Sequence, residues 1–288
     1  MNNEVRMPLE ELNLTDRFLF SETMDEPEAY EAMVSILLED EIELLNHSQT
    51  EKELRVSPQL RSVRLDVVSM DKGGKIYFTE MQNRDTGNLM KRSRYYQAQL
   101  DVSLLEPGCS DFNLLSDSYL ILVAPFDLFG YGLYRYIFEG QCREVPGLTL
   151  RDGAVRIFIN TYGTNRAVFS QEFLDLMEYI NNTRDAVAAR SESSRLKKIH
   201  SMVEKIRRSE KCGVKYMQRW EEIAYARQDG ALREVLTAVC KKLSKGKSVE
   251  QIAEELEKVP QEIHWICEVA GKYAPKYDPD AIYQELQI

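Results

Sequence analysis

Residues 63–82 read VRLDVVSMDKGGKIYFTEMQ, and the fold turns on how that stretch pairs with itself. Val63 to Met70 and Lys75 to Gln82 are short runs rich in branched and aromatic side chains, and Asp71-Lys72-Gly73-Gly74 between them has turn chemistry. The pattern predicts a β-hairpin. Side chains two apart on a strand share a face, so Glu80 and Gln82 project together, as do Arg64, Asp66 and Val68. Register decides whether the two sets meet. With Lys72, Gly73 and Gly74 as a three-residue loop, Asp71 pairs with Lys75, Met70 with Ile76, Val68 with Phe78, Asp66 with Glu80 and Arg64 with Gln82. A two-residue turn instead puts Asp66 opposite Thr79 and sends the carboxylates to opposite faces.

Directly opposed residues hold their Cβ atoms roughly 4.5 to 5.5 Å apart, close enough for two carboxylates to destabilise the sheet unless a cation lies between them. Hard divalent ions such as Mg²⁺ or Mn²⁺ take carboxylate oxygens, keep waters and recruit phosphate oxygens. The three-residue loop therefore predicts a metal site on Asp66 and Glu80, with Gln82 placed to orient water or phosphate, and a chemistry of phosphodiester hydrolysis. Solvent-facing polar positions on two ordinary strands would account for the same spacing.

Outward from the hairpin, Pro27 to Leu45 has Tyr30, Met33, Val34, Leu37 and Leu38 at helical spacing and a proline suited to a helix start. Glu28, Glu31 and Glu39 on that helix are either further metal ligands or an acidic solvated face. Asn88 to Leu105 is helical with a basic first half, and Tyr119 to Ala124 (YLILVA) is a strand buried on both faces. Leu128 to Gly140 and Ala154 to Asn160 suggest further strands, in the same sheet or a small flanking one. Gln171 to Asn181 resumes helical spacing, and polar Asn182 to Ser194 marks a domain boundary.

Arg64-Leu65-Asp66-Val67, the Asp71 to Gly74 turn, Tyr77, Glu80-Met81-Gln82 and Lys91-Arg92-Ser93-Arg94-Tyr95-Tyr96 together resemble the PD-(D/E)XK nuclease family transposases, also called recombination-promoting nucleases or the Rpn family. The similarity reaches upstream to Leu14 through Phe20 and Met24, and downstream to Tyr119 through Phe129 and Ile157 through Gly163, so it spans most of residues 14–185. The resemblance implies an α/β, restriction-endonuclease-like core with a mixed sheet flanked by helices, assigned to residues 1–185; residues 186–288 read by their own pattern as an all-helical region. It also implies a Mg²⁺- or Mn²⁺-dependent DNA endonuclease tied to recombination or transposition, with metal-binding acids at Asp66 and Glu80 and the motif's third position at Gln82. Where the broader superfamily has lysine, Gln82 can hydrogen-bond water but brings no positive charge. A catalytically weak or inactive nuclease-fold protein that binds DNA or a protein partner is the alternative, and a regulator reading DNA through its terminal hairpin is a third.

Asp16 falls where the family has an early acid and is equally an N-terminal helix cap. Arg92, Arg94 and Tyr96 begin the helix after the ExQ strand and are candidates for phosphate contact. Arg195 to Arg219 carries nine basic side chains against two acidic ones, among them Lys197, Lys198, Arg207 and Arg208. It either tracks a DNA backbone or lies against the acidic first part of the chain. Lys247 to Ala270 gives two short helices broken near Val259-Pro260, a helical hairpin for packing or dimerisation.

The net charge of −10 argues against nucleic acid only if it is spread evenly. Residues 1–190 hold 19 basic and 31 acidic side chains, residues 191–288 hold 18 and 16, so the acid is concentrated in the first part. Five scattered cysteines without a CxxC pair and three histidines point to no disulfide framework or zinc ribbon. The amino-terminal stretch is polar and the most apolar run is too short to span a bilayer, from which a cytoplasmic protein without membrane contact is expected. Paired cuts would call for a homodimer.

Overall fold

The computed structural model describes residues 7–45, 49–54, 63–105 and 108–286, without the side chains of 49–54 and 63–66. Six strands form one mixed sheet: β1 (Gln49–Leu54), β2 (Val63–Met70), β3 (Ile76–Met81), β4 (Ser118–Ala124), β5 (Arg135–Phe138) and β6 (Ala154–Asn160), in the order β1-β2-β3-β4-β6-β5. β1, β2 and β3 are antiparallel neighbours, β3, β4 and β6 run parallel, and β5 closes the edge antiparallel to β6. The β3-to-β4 crossover is α3 (Leu89–Leu104), the helical connection that parallel strands require. Both late strands join the main sheet, so the flanking-sheet option falls.

The hairpin takes the three-residue loop. The Asp71 amide donates to the Lys75 carbonyl at 2.9 Å, and Gly74 closes the turn at φ 83°, a left-handed conformation that glycine adopts without a Cβ clash. Met70 pairs with Ile76 and Val68 with Phe78. Alternation then sorts the central strands between two faces. Tyr77, Met81, Ile121, Val123, Ile157 and Ile159 enter the larger core, and Ile76, Phe78, Leu120, Leu122 and Phe158 enter a smaller one that includes Leu100 of α3.

The larger core is filled by α1 (Arg17–Met24), α2 (Pro27–Leu38), α4 (Gln171–Asn181), α5 (Asp185–Arg190) and α6 (Ser194–Arg207). Helix α2 stops at Leu38, seven residues short of the expected Leu45, because Glu39 turns left-handed at φ 55°. Glu39-Asp40-Glu41 would stack negative charge on the negative end of the helix dipole. Beyond it Ile42 and Leu44 are buried while Glu41, Glu43 and Leu45 are exposed, an extended alternation that helical spacing had obscured.

The chain divides into two compact units, residues 1–216 and 217–288. The expected boundary at 185/186 is thus corrected: Val187, Ala188, Leu196, Ile199, Val203 and Ile206 of α5 and α6 are buried in the first unit's core. The division falls within α7 (Glu210–Leu243). The second unit is all helical, its core built from Leu236, Val239 and Cys240 of α7 with α8 (Val249–Glu255), α9 (Pro260–Gly271) and α10 (Pro279–Leu286). A Ser248–Gln251 capping box starts α8, and Pro260 at the first turn starts α9, which makes the expected hairpin. Among the described residues no helix is long and apolar enough to cross a membrane.

Candidate metal and phosphate site

The sheet register, carried one pair beyond Val67–Thr79, sets position 66 across from Glu80. The Asp66 side chain itself lies outside the described residues. Glu80 is on the α3 face of β3 and is 4 % exposed. A carboxylate at such depth costs several kcal/mol unless it is paired and hydrogen-bonded. Its partner comes from the first turn of α3: Arg92 Nη2 donates to Glu80 Oε1 at 2.7 Å and also to Gln82 Oε1. The Arg92 guanidinium lies 5.4 Å from the Tyr96 ring, and that ring packs edge-on against Phe78 at 5.9 Å. The arginine is thereby held between the strand and its own helix.

Gln82 is fixed at the carboxyl end of β3. Its amide donates to the Val123 carbonyl at 2.9 Å, and its side-chain Nε2 donates to the Arg84 carbonyl at 2.6 Å. That second bond orients the side-chain oxygen, Oε1, toward the guanidinium. Beside Gln82 a small pocket is lined by Leu89, Ala124, Tyr136 and Asn160. It sits at the carboxyl ends of three parallel strands, the usual place for a ligand in an α/β sheet.

No family model, curated protein or solved structure matches the chain. What the site can do is therefore read from its own atoms. One carboxylate oxygen and one amide oxygen converge on a single cationic nitrogen, and hard oxygen donors meeting at a point of positive charge are what Mg²⁺ or Mn²⁺ takes. Glu80 and Gln82 supply two oxygen donors of the type such an ion takes.

The structure separates the remaining candidates. Asp16 caps α1, accepting from the Phe18 amide at 2.8 Å and the Leu19 amide at 3.3 Å. Glu28, Glu31 and Glu39 are not additional ligands. Helix α2 packs on the opposite face of the sheet, where the Tyr30 hydroxyl meets Thr79 at 2.9 Å, one residue out of phase with Glu80. Glu31 accepts from the Leu44 amide, while Glu39 accepts from the Ser170 amide and pairs with Arg135.

Arg94 is exposed on α3, and Lys197, Lys198 and Arg208 are exposed on or at the end of α6. Arg207 is corrected. Its side chain is 7 % exposed, it donates to the carbonyls of Leu12 and Thr183 at 2.7 and 2.8 Å, and it pairs with Glu204 at 3.0 Å, so phosphate cannot reach it. Several neighbours are likewise committed to acids of the first unit: Arg195 to Glu41 and Glu172, Lys205 to Glu26, Lys215 to Glu22.

One cluster escaped the sequence reading. Asp185, His200 and Glu204 bring ligand-type atoms within 4.8 Å of one another. The i, i+4 spacing of His200 and Glu204 was the available signal, but Asp185 arrives from another helix. The Tyr179 hydroxyl hydrogen-bonds His200 Nδ1 at 2.9 Å, and Glu204 already carries Arg207 and Arg208. The Asp185 side chain is 79 % exposed and lies 3.7 Å from His200 Nε2, so the three groups belong to a surface ion-pair network.

Proposed function

We propose that the chain is a metal-dependent DNA endonuclease with a restriction-endonuclease-like core, of the recombination-promoting type that its hairpin and following helix resemble. The observation that carries this reading is the convergence of Glu80 Oε1 and Gln82 Oε1 on one cation at the carboxyl ends of the parallel strands. Asp66 and Glu80 would hold Mg²⁺ or Mn²⁺. When bound, such an ion supplies Lewis acidity and a water of lowered pKa for attack on a phosphodiester.

The chain's own residues do the rest. Glu80 is buried in strand β3, which fixes the position from which its carboxylate acts. Gln82 can accept from and donate to a water or a phosphate, but its neutral amide cannot remove a proton at the working pH. Positive charge near the site comes from α3, where exposed Arg94 and the Arg92 guanidinium can meet phosphate oxygens. Lys197, Lys198 and Arg208 form a second basic group for the DNA backbone.

A second reading has its own support. Glutamine in place of lysine and a guanidinium already seated on Glu80 both favour a nuclease-fold protein that binds DNA or a protein partner with little or no cutting. A plasmid-nicking assay with Mg²⁺ or Mn²⁺ separates the two. Nicking lost in both Asp66→Ala and Glu80→Ala supports the nuclease; salt-dependent binding without any nicking supports the binding protein. Nicking that survives both substitutions removes the proposed site.

A further inference from the structure

We infer that Arg92 is a built-in cation gate, a guanidinium that occupies the divalent-metal position on Glu80 and Gln82 and must leave before the ion can bind. The inference rests on the metal-site reading above and assigns how that site is regulated. Both contacts are made by the same atom, Nη2, so the two oxygens point at one spot rather than at the two prongs of a guanidinium. An arginine that served only to neutralise a carboxylate would be expected to use its fork, with two parallel N–H donors on the two carboxylate oxygens. Here Nε finds no hydrogen-bond partner among the described residues. The pairing neutralises charge but leaves part of the arginine's donor capacity unspent, which is the property of a partner that can be displaced.

The way out is also built. Arg92 keeps 24 % of its side chain exposed, against 6 % for Glu80, so the arginine is at the rim and the carboxylate is beneath it. It hangs from the first turn of α3, and the Tyr96 ring one turn along, 5.4 Å from the guanidinium, offers a face on which a cation can rest. The gate would open by rotation about the arginine's side-chain bonds, exchanging Glu80 for solvent. The metal-free chain thus keeps its buried acid compensated, and an arriving ion takes over the same charge balance. If the gate stands open in about one molecule in ten, removing it tightens apparent metal affinity about tenfold.

Mn²⁺ binding to the full chain, followed by isothermal titration calorimetry at fixed pH and ionic strength, tests this with wild type, Arg92→Met, Arg92→Lys and Glu80→Gln. The expected result is tighter Mn²⁺ binding in Arg92→Met by about tenfold, an intermediate gain in Arg92→Lys, and loss in Glu80→Gln. Thermal unfolding gives a second readout, because Mn²⁺ should raise the melting temperature of Arg92→Met more than that of wild type. Should Arg92→Met fail to fold even with Mn²⁺, Arg92→Lys decides by itself. Equal or weaker Mn²⁺ binding in the arginine variants, with Glu80-dependent binding in wild type, overturns the gate and leaves the metal site standing. No Glu80-dependent binding in any variant overturns both.

Discussion

Arg92 Nη2 lies 2.7 Å from Glu80 Oε1, and this pair joins the first turn of α3 to the interior of the sheet. It is a stability element as well as a site element. Removing one partner of a buried pair leaves the other charge uncompensated, a loss of about 3–5 kcal/mol. Arg92→Ala without added metal should therefore lower the free energy of unfolding by that order, read from urea denaturation. The double variant Glu80→Gln, Arg92→Met should recover much of it, since no buried charge remains. A double variant no more stable than Arg92→Ala would show that the arginine acts through packing on Tyr96 instead.

The loop at Lys72 to Gly74 sets the register on which the site depends, and Asp71 holds the loop. Its carboxylate accepts from the Lys75 amide and from the Tyr77 hydroxyl, both at 2.9 Å. Asp71→Ala should cost about 1–3 kcal/mol, and Gly74→Val roughly 1–2 kcal/mol because φ is positive there. Both are measurable by chemical denaturation. Loss of Glu80-dependent Mn²⁺ binding in a folded Asp71→Ala protein would tie the register directly to the site.

That hairpin was legible in the sequence because strand parity and turn chemistry are local. Two glycines after Asp71-Lys72 and alternating apolar positions are enough to choose between two registers. The α-β-β-α-β succession from Pro27 to Ala124 was legible for the same reason, whereas β1 was not anticipated and the sheet to which the two late strands belong was left open. Arg92 was legible only as a basic residue on a helix, because whether it faces phosphate or Glu80 depends on how α3 lies over the sheet. Arg207 failed in the same way. A basic run signals charge, whereas its contacts with the Leu12 and Thr183 carbonyls join residues far apart in the chain. The unit boundary was misplaced because Asn182 to Ser194 is polar enough for a linker, yet Val187 and Ala188 inside it are buried.

The basic residues of α6 divide into structural and free, and DNA binding should divide with them. Lys197→Ala with Lys198→Ala should leave the melting temperature nearly unchanged and flatten the dependence of log affinity on log salt by about 1 per lysine removed. Arg207→Ala should do the reverse, costing roughly 2–3 kcal/mol of stability with the salt slope preserved in the folded fraction. Fluorescence anisotropy with a labelled duplex across a salt series reads the first effect and urea unfolding reads the second. A slope unaffected by the lysine pair would remove α6 from the DNA-contacting surface.

Asp127, in the loop between β4 and β5 beside the Gln82 pocket, should contribute to acid sensitivity. Its carboxylate accepts from the Phe129 amide at 3.0 Å, the Gly132 amide at 2.6 Å and the Tyr136 hydroxyl at 2.8 Å. Burial by itself would raise its pKa, but the Gly132 amide, the Tyr136 hydroxyl and the Phe129 amide outweigh that and hold the group below the ordinary 3.8. The sign follows from proton binding. The unfolded chain takes up this proton first, near pH 4, so the stabilisation is complete above that value and disappears as pH falls through the lower folded value. Asp127→Asn removes the titration while keeping the shape. The stability difference between wild type and variant, measured by urea unfolding from pH 6 to pH 2.5, should be constant above about pH 5 and shrink below pH 4. Parallel curves down to the lowest pH would mean that the loop does not depend on the Asp127 charge.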